Sequence, residues 1–239
     1  MGAAGFDLGA GDLYAYLRKL AATGAGQGII ERSTMKSHLL AAVAAIVLAS
    51  PVMAQAPAMP GQPEAARVVA GSYKVDTNHT QVVWSVDHMG FSTLYGMVGE
   101  MTGTLTLDPA NLSAASLSID IPLSGLTVTS EGFAKHLASA DFFEVEKFPT
   151  AKFVSTSVVA NGDEAKITGD LTLHGVTKPV VLDAKLMGAG VNPMNKAQTV
   201  GFTATSTLKR SDFGLGYAAP VVSDEVELKI TAAFELAAS

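Results

Sequence analysis

Hydrophobic and polar residues alternate with a period of two over most of the chain beyond residue 80. In the last such segment Val226, Leu228 and Ile230 share one face, and Glu225 and Glu227 share the other. This pattern is typical of antiparallel strands with one buried face and one wetted face. Turn residues separate eight segments of this kind, at about 80–89, 95–107, 114–123, 151–160, 164–174, 177–188, 198–209 and 223–236. The sequence therefore predicts an all-β fold of eight strands.

One segment between the third and fourth predicted strands has a helical pattern instead. Ser130 is a residue type that caps helix N-termini, and Phe133 and Leu137 lie four residues apart on one helical face. Phe142 and Phe143 follow in a second short turn. Eight antiparallel strands with one helical crossover favour a closed barrel, because closure removes exposed sheet edges. A β-sandwich is the alternative.

Several small residues interrupt the apolar face of the predicted strands. Protein interiors are densely packed, so small inward side chains leave volume that larger neighbours would have to fill. We interpret this volume as a narrow lipophilic tunnel, since an eight-stranded barrel can hold one small ligand. The alternative is that the small residues accommodate barrel taper or β-bulges. They are Gly99, Gly103, Ser155, Ser157, Gly169, Ala184, Ala204, Ser206 and Ala232.

A signal-peptide pattern begins at Met35. Lys36 is basic, residues 39–49 form an apolar run too short to span a membrane, and Val52 and Ala54 fit a cleavage site after Ala54. We expect residues 1–34 to be an incorrectly assigned extension upstream of the true start. Residues 35–54 would be the signal peptide, 55–71 a linker and 72–239 the barrel. The mature protein is then exported and soluble.

Composition narrows the chemistry further. The 239 residues include no cysteine, 16 Lys and Arg, and 22 Asp and Glu, for a net charge of −6. Disulfides, thiolate metal sites, a cysteine nucleophile and a lipid anchor on cysteine are thereby excluded. An acidic chain without a basic stripe argues against binding to nucleic acid. Charged residues make up 16% of the chain, against about a quarter in typical soluble proteins, and a lipophilic tunnel would account for part of this bias.

Catalytic motifs are lacking in the sequence. There is no Gly-x-Ser-x-Gly elbow, no His-Glu-x-x-His pair and no glycine-rich phosphate loop. The spacing of His79, His88, His136 and His174 predicts no metal site, and only His88 falls on an apolar face. We therefore expect no catalytic residue, no metal and no cofactor.

Sequence motifs between residues 73 and 236 occur in a recognisable order. They are Tyr73-Lys-Val-Asp76, His79-Thr80, Val82-x-Trp84-x-Val86-x-His88, His136-Leu137, Asp141-Phe142-Phe143, Lys147-x-Pro149-Thr150-x-x-Phe153, the run from Gly169 to Pro179, and Arg210-x-Asp212-Phe213-Gly214. With these motifs the chain resembles the YceI-like family of bacterial periplasmic, polyisoprenoid-binding proteins. The resemblance implies a lipocalin-like antiparallel barrel that holds a long isoprenoid chain.

The resemblance and the alternation together indicate a function and a set of ligand-binding residues. We expect periplasmic binding, storage or transport of a polyisoprenoid lipid of the quinone or precursor type, without enzymatic activity. The expected tunnel wall is Trp84, Val86, Met101, Leu105, Ile119, Ile121, Phe153, Leu171, Leu182, Phe202, Ile230 and Phe234. Phe133, Leu137, Phe142 and Phe143 are expected to cover one mouth, and His88 and Arg210 to contact a polar head group.

Two alternative functions are open at this point. The first is an enzyme that acts on a lipid head group, using His88 with Asp87 or Arg210. The second is a structural, stress-protecting module whose barrel is filled by its own side chains. The expected partner is the lipid, with a membrane or membrane protein as its donor or acceptor; whether the protein forms a homodimer is also open.

Overall fold

The computed structural model describes residues 58–238; the predicted signal peptide and everything upstream of it lie outside this range. Within it, 11 strand segments form one antiparallel sheet. The segments are β1 (Gly71–Val75), β2 (Gln81–His88), β3 (Ser92–Val98), β4 (Thr102–Leu107), β5 (Ser116–Pro122), β6 (Leu126–Thr127), β7 (Thr150–Asn161), β8 (Glu164–Leu173), β9 (Val176–Val191), β10 (Gln198–Lys209) and β11 (Glu225–Leu236). A single α-helix in the described range, α1 (Glu131–Ala138), separates β6 from β7.

The sheet closes on itself through the last strand. β11 pairs with β10 along one edge and with both β1 and β2 along the other, and Tyr73 lies opposite Leu236 at the closure. The ring runs β1, β4, β5, β7, β8, β9, β10, β11 and back to β1, which confirms the predicted eight-stranded antiparallel barrel. A second row of strands starts from the same edge of β11: β2 pairs with residues 227–231 of β11, β3 pairs with β2, and β6 pairs with β3. The sandwich alternative is wrong, and the helical crossover lies where it was predicted.

The predicted strand 95–107 is divided into β3 and β4. Glu100 adopts a φ of 58°, in the left-handed region, and interrupts the ladder. The interruption shifts the alternation by one residue, so that Val98 is buried whereas Met97 is 42% exposed. Since strand side chains alternate strictly, a shift of one residue moves the next side chains to the opposite face. The five-residue β1 and the two-residue β6 were not predicted.

A β-bulge in β7 has a similar effect. The pairing with β8 shifts between Ser155 and Ser157, and beyond the bulge Val158 and Ala160 are the half-buried residues whereas Ser157 is exposed. The prediction that Ser157 faces inward is therefore wrong. Ser155 accepts a hydrogen bond from the Leu117 N–H at 2.8 Å, which satisfies a backbone donor beside the bulge.

Helix α1 begins as its sequence predicts. Ser130 is the N-cap, and its side chain accepts a hydrogen bond from the Phe133 N–H. Leu137 is 5% exposed, whereas Glu131 and Lys135 form an ion pair at 2.7 Å on the outer face. No helix within residues 58–238 combines the length and the apolar content that crossing a membrane requires.

Two clusters of buried side chains fill much of the barrel. The larger is built on Tyr73, Val82, Val98, Met101, Leu105, Leu107, Ile119, Ala189, Val200 and Phe234. The smaller is built on Phe153, Leu171, Val180, Phe213 and Leu215. The smaller cluster includes two residues of the β10–β11 connection, so it packs that connection against the barrel.

Candidate functional site

An apolar cavity of about 170 Å³ lies at one end of the barrel. Turn residues from the β4–β5 and β7–β8 connections contribute to its rim, and inward side chains from seven strands form its wall. We call this part of the molecule the cavity end. Its lining comprises Ala65, Val68, Leu105, Leu107, Pro109, Leu112, Ala115, Ser116, Leu117, Val158, Ala160, Gly162, Asp163, Glu164, Ala165, Ile167, Leu182, Ala184, Leu186, Phe202, Ala204, Ile230, Ala232 and Phe234.

A row of alanines across neighbouring strands accounts for the empty volume. Ala160 pairs with Ala165, Ala165 with Ala184, and Ala184 with Ala204, so the row crosses β7, β8, β9 and β10. All of these alanines line the cavity. An alanine side chain ends at Cβ, so four aligned alanines leave the centre of the barrel unfilled at this level. Interiors otherwise pack to the density of organic crystals.

The wall of the cavity consists of hydrocarbon groups and carries almost no charge. Among its lining residues only Asp163 and Glu164 are ionisable, and both lie at the β7–β8 turn. Lys185 pairs with the Asp163 carboxylate at 3.3 Å. An engineered cavity of about 150 Å³ with aliphatic and aromatic walls stays dry and binds benzene. The geometry is therefore suited to an apolar group of similar size.

The opposite end of the barrel is sealed by the β10–β11 connection, residues 210–224, which we call the closed end. Arg210 is 6% exposed and donates to four backbone carbonyls of this connection. Its Nη1 donates to Leu215 at 2.5 Å and to Tyr217 at 2.7 Å, Nη2 to Val222 at 2.8 Å, and Nε to Ser223 at 2.8 Å. Burial lowers the pKa of Arg210, and the nearby Asp224 carboxylate partly opposes this shift. Arg210 thus organises a loop in this structure.

Asp224 reinforces the same connection. Its carboxylate accepts hydrogen bonds from the Ser211 hydroxyl at 2.7 Å and from the Ser211 N–H at 2.9 Å. These two bonds lower the pKa of Asp224, with smaller contributions from the charges of Arg210 and Lys209. The first turn of the connection is thereby joined to its last residues.

The structure brings five of the predicted ligand-binding residues together in the cavity wall: Leu105, Leu182, Phe202, Ile230 and Phe234. The rings of Phe202 and Phe234 meet edge to face, with centroids 6.2 Å apart. A second group of predicted wall residues packs into the two core clusters instead and does not line this cavity: Met101, Ile119, Ile121, Phe153 and Leu171.

The predicted residues of β2 also lie away from the cavity lining. Trp84 covers Gly96 on β3, where an added Cβ would lie 2.1 Å from Trp84 Cζ2. Its Nε1 is buried and has no hydrogen-bond partner among the described residues. Val86 is half-buried, and His88 bridges through its backbone to Val222 of the closed end.

The aromatic residues around α1 lie near the closed end. Phe142 contacts the Tyr217 ring, with centroids 5.4 Å apart, and Phe143 packs against the smaller core cluster. Leu137 is buried and Phe133 half-buried. None of these four lines the cavity.

Sequence reasoning missed two parts of the site. Ala160 and Ala165 were not recognised because the bulge in β7 and the pairing of β7 with β8 could not be read from local alternation. Ala65 and Val68 lie in the segment predicted as a linker, yet they line the cavity. The Pro- and Gly-rich composition of this segment gave no signal that it contacts the cavity. Within residues 58–238 no group of three His, Asp or Glu side chains is arranged to hold a metal ion.

Comparison with known proteins places the chain among relatives. A family model described as a YceI-like domain matches residues 73–234. A UPF0312 protein of Pseudomonas aeruginosa strain LESB58 is 41% identical over 169 residues, covering 70% of this chain and 88% of that protein.

Solved structures share the fold. The crystal structure of BcnA from Burkholderia cenocepacia superimposes with a TM-score of 0.60 at 23% identity, covering 66% of this chain and 98% of that one. A domain from Saccharophagus degradans, described as polyisoprenoid binding and implicated in plant cell wall breakdown, has a TM-score of 0.54 at 11% identity, covering 71% of this chain and all of that domain. The two structural similarities establish the shared barrel fold.

Proposed function

Because the chain belongs to the YceI-like family, we propose that it binds a long-chain polyisoprenoid lipid, of the quinone or quinone-precursor type, in the barrel cavity. The protein stores or transports this lipid in the periplasm, after export and cleavage behind Ala54. The observation that carries the proposal is the apolar cavity created by the aligned alanines. The polyisoprenoid-binding domain from Saccharophagus degradans, which shares the fold, supports the choice of ligand.

The hydrophobic effect supplies the affinity. Each CH₂ group transferred from water into an apolar site contributes about 0.8 kcal/mol, before the costs of ordering the ligand are subtracted. A branched prenyl chain fits a wall of alanine, leucine and phenylalanine side chains without requiring a charged partner.

Binding explains the site better than catalysis does. Apart from the two rim carboxylates, Ser116 carries the one polar side chain in the lining. The enzymatic alternative relied on His88 and Arg210, but neither lines the cavity, and Arg210 is engaged with four carbonyl groups. A membrane or a membrane protein is the proposed donor or acceptor of the lipid.

A matched pair of variants tests the site. Ala204→Phe places a ring in the cavity, whereas Thr205→Phe places the same ring on the exposed face of the next residue. Both proteins are purified without detergent and titrated with solanesol, a long polyprenol, and with a long-chain ubiquinone. Native mass spectrometry and lipid extraction report what each protein retains. We expect Ala204→Phe to lose at least tenfold in affinity, and Thr205→Phe to bind as the unmodified chain does.

Two results would contradict the proposal. One is an unmodified chain that carries no lipid after purification and takes up neither ligand. The other is equal binding by the two phenylalanine variants, which would place the ligand elsewhere. The location is tested separately, by N-terminal sequencing of the protein from a periplasmic extract; the expected first residue is Gln55.

A further inference from the structure

The segment that precedes β1 forms one side of the cavity. Residues 60–68, which we call the strap, lie across β9 and contribute Ala65 and Val68 to the cavity lining. The matched family region begins at residue 73, so this wall lies outside it. The strap was predicted to be a linker, and its role in the site is a property of the tertiary structure.

The strap is held by few bonds. Gln62 and Ala189 exchange backbone hydrogen bonds, at 3.2 Å from the Gln62 N–H and at 2.8 Å from the Ala189 N–H. Gln198 donates from its side chain to the Arg67 carbonyl at 2.8 Å. Just beyond the strap, the buried Tyr73 hydroxyl donates to the Val69 carbonyl and anchors its C-terminal end.

The strands that form the cavity wall are much more strongly connected to one another. Ten successive residue pairs join β8 to β9 and eleven join β10 to β11, so separating two strands would break many hydrogen bonds together. The closed end is held by Arg210 and by the smaller core cluster. The strap is therefore held to the rest of the protein by fewer hydrogen bonds than the strands that form the cavity wall.

A long isoprenoid chain needs more space than the cavity supplies. The cavity of about 170 Å³ is comparable with one of about 150 Å³ that holds a single benzene molecule. A lipid of many isoprene units is far larger than this, so it needs a continuation of the cavity. Because Ala65 and Val68 border the space, displacement of the strap extends it directly.

We propose that the strap is the portal of the binding site: the isoprenoid chain enters and leaves beneath it, in contact with Ala65 and Val68. This inference rests on the proposed function, because it specifies how the same ligand reaches the same cavity. Release is then slow when the strap is closed and fast when it is displaced. The strap also adds apolar contacts to the bound chain that the matched family region does not supply.

A reversible cross-link tests the portal. Gln62→Cys with Ala189→Cys places two thiols on directly opposed residues, and the natural chain has no other cysteine to interfere. Opposed residues on paired strands lie within the Cα separation that a disulfide bridges. The oxidised and reduced forms of this one polypeptide are compared for uptake and release of tritiated solanesol. We expect at least tenfold slower exchange in the oxidised form and restoration of the unmodified rate on reduction.

A second variant displaces the strap without a cross-link. A Cβ added at Gly190 would lie 2.2 Å from the Pro60 carbonyl oxygen, so Gly190→Ala pushes the strap away from β9. Gly201→Ala is the matched control on β10, where the nearest atom to the added Cβ is 3.9 Å away. We expect several-fold faster solanesol release from Gly190→Ala, and an unchanged rate from Gly201→Ala.

The outcomes separate this inference from the proposed function. If the unmodified chain and the reduced double variant take up no solanesol, both the proposed function and the portal are wrong. If both take it up and the oxidised form exchanges it equally fast, the function stands and the portal is wrong. Equal release rates for Gly190→Ala and Gly201→Ala would likewise overturn the portal.

Discussion

The two ends of this barrel are formed by the same long strands but differ in how the interior is occupied. At the closed end Phe213 and Leu215 are 1% and 4% exposed, and Arg210 fixes the backbone above them. At the cavity end a row of alanines faces empty space. One end therefore provides rigidity through dense packing and satisfied hydrogen bonds, and the other provides a volume that a ligand can fill.

Arg210 should contribute the largest single share of stability. Arg210→Ala removes a buried side chain that donates to four backbone carbonyls, and we expect a loss of about 3–5 kcal/mol in the free energy of unfolding. Urea denaturation followed by circular dichroism measures it. Lys209→Ala, at the exposed neighbouring position, is the control and should change stability by about 0.5 kcal/mol or less. Arg210→Lys keeps the charge but supplies fewer donors, and should fall between them. A loss below about 1 kcal/mol for Arg210→Ala would contradict this role.

The packing of the two ends can be compared directly by truncating two leucines of similar burial. Leu215, at 4% exposure, lies in the closed end, and Leu186, at 6% exposure, lines the cavity. Leu→Ala in a core costs about 2–5 kcal/mol, depending on the space left behind. Leu186 borders empty space and makes fewer dispersion contacts, so we expect Leu215→Ala to cost about 1–2 kcal/mol more than Leu186→Ala. Equal losses in urea denaturation would show that the two ends are packed alike.

Enlarging a small inward residue should change the stability of the protein in opposite directions in the packed core and in the cavity. A Cβ at Gly169 would lie 2.4 Å from Phe153 Cζ, so Gly169→Ala should destabilise the protein by about 1–3 kcal/mol through overpacking. Ala184→Val extends into the cavity and should stabilise it by about 0.5–1 kcal/mol. Thermal unfolding of the two variants and of the unmodified chain shows whether each substitution raises or lowers the stability. Destabilisation by Ala184→Val of the size seen for Gly169→Ala would argue that the cavity is already filled.

The smallest expected effect is a pH dependence confined to the closed end. The two hydrogen bonds from Ser211 lower the pKa of Asp224 in the folded protein. This group therefore contributes stability above the unfolded pKa of about 3.9, and the contribution is lost as the pH falls through the lower folded value. Asp224→Asn should cost about 1 kcal/mol at pH 7. Its difference from the unmodified chain should shrink in urea denaturation below about pH 4. A difference that stays constant down to pH 2 would contradict this assignment.

Much of the architecture was predictable because its determinants are local. Period-two alternation located seven of the described strands to within a few residues, and Ser130 marked the start of α1. The motifs from Tyr73 to Leu236 indicated the family, and the family match confirms it. The prediction was wrong at Met97 and Ser157, where a left-handed residue and a bulge changed the face of the strand. Neither feature leaves a clear trace in the alternation of hydrophobic residues.

The site was less predictable, since volume depends on neighbours in space. Gly169 and Ala184 look alike in the sequence, as small residues on an apolar face. In the structure Gly169 makes room for the Phe153 ring, whereas Ala184 lies between Ala165 and Ala204 and leaves a cavity. The pairing register of β7 to β10 decides between these outcomes.

Local sequence therefore specified the strands, the helix cap and the apolar character of the inner face, because each depends on residues close together in the chain. The closure of β1 on β11, the aligned alanines and the strap over β9 were decided by the folded structure. They bring together residues far apart in sequence, and whether small side chains leave space depends on which residues become their neighbours.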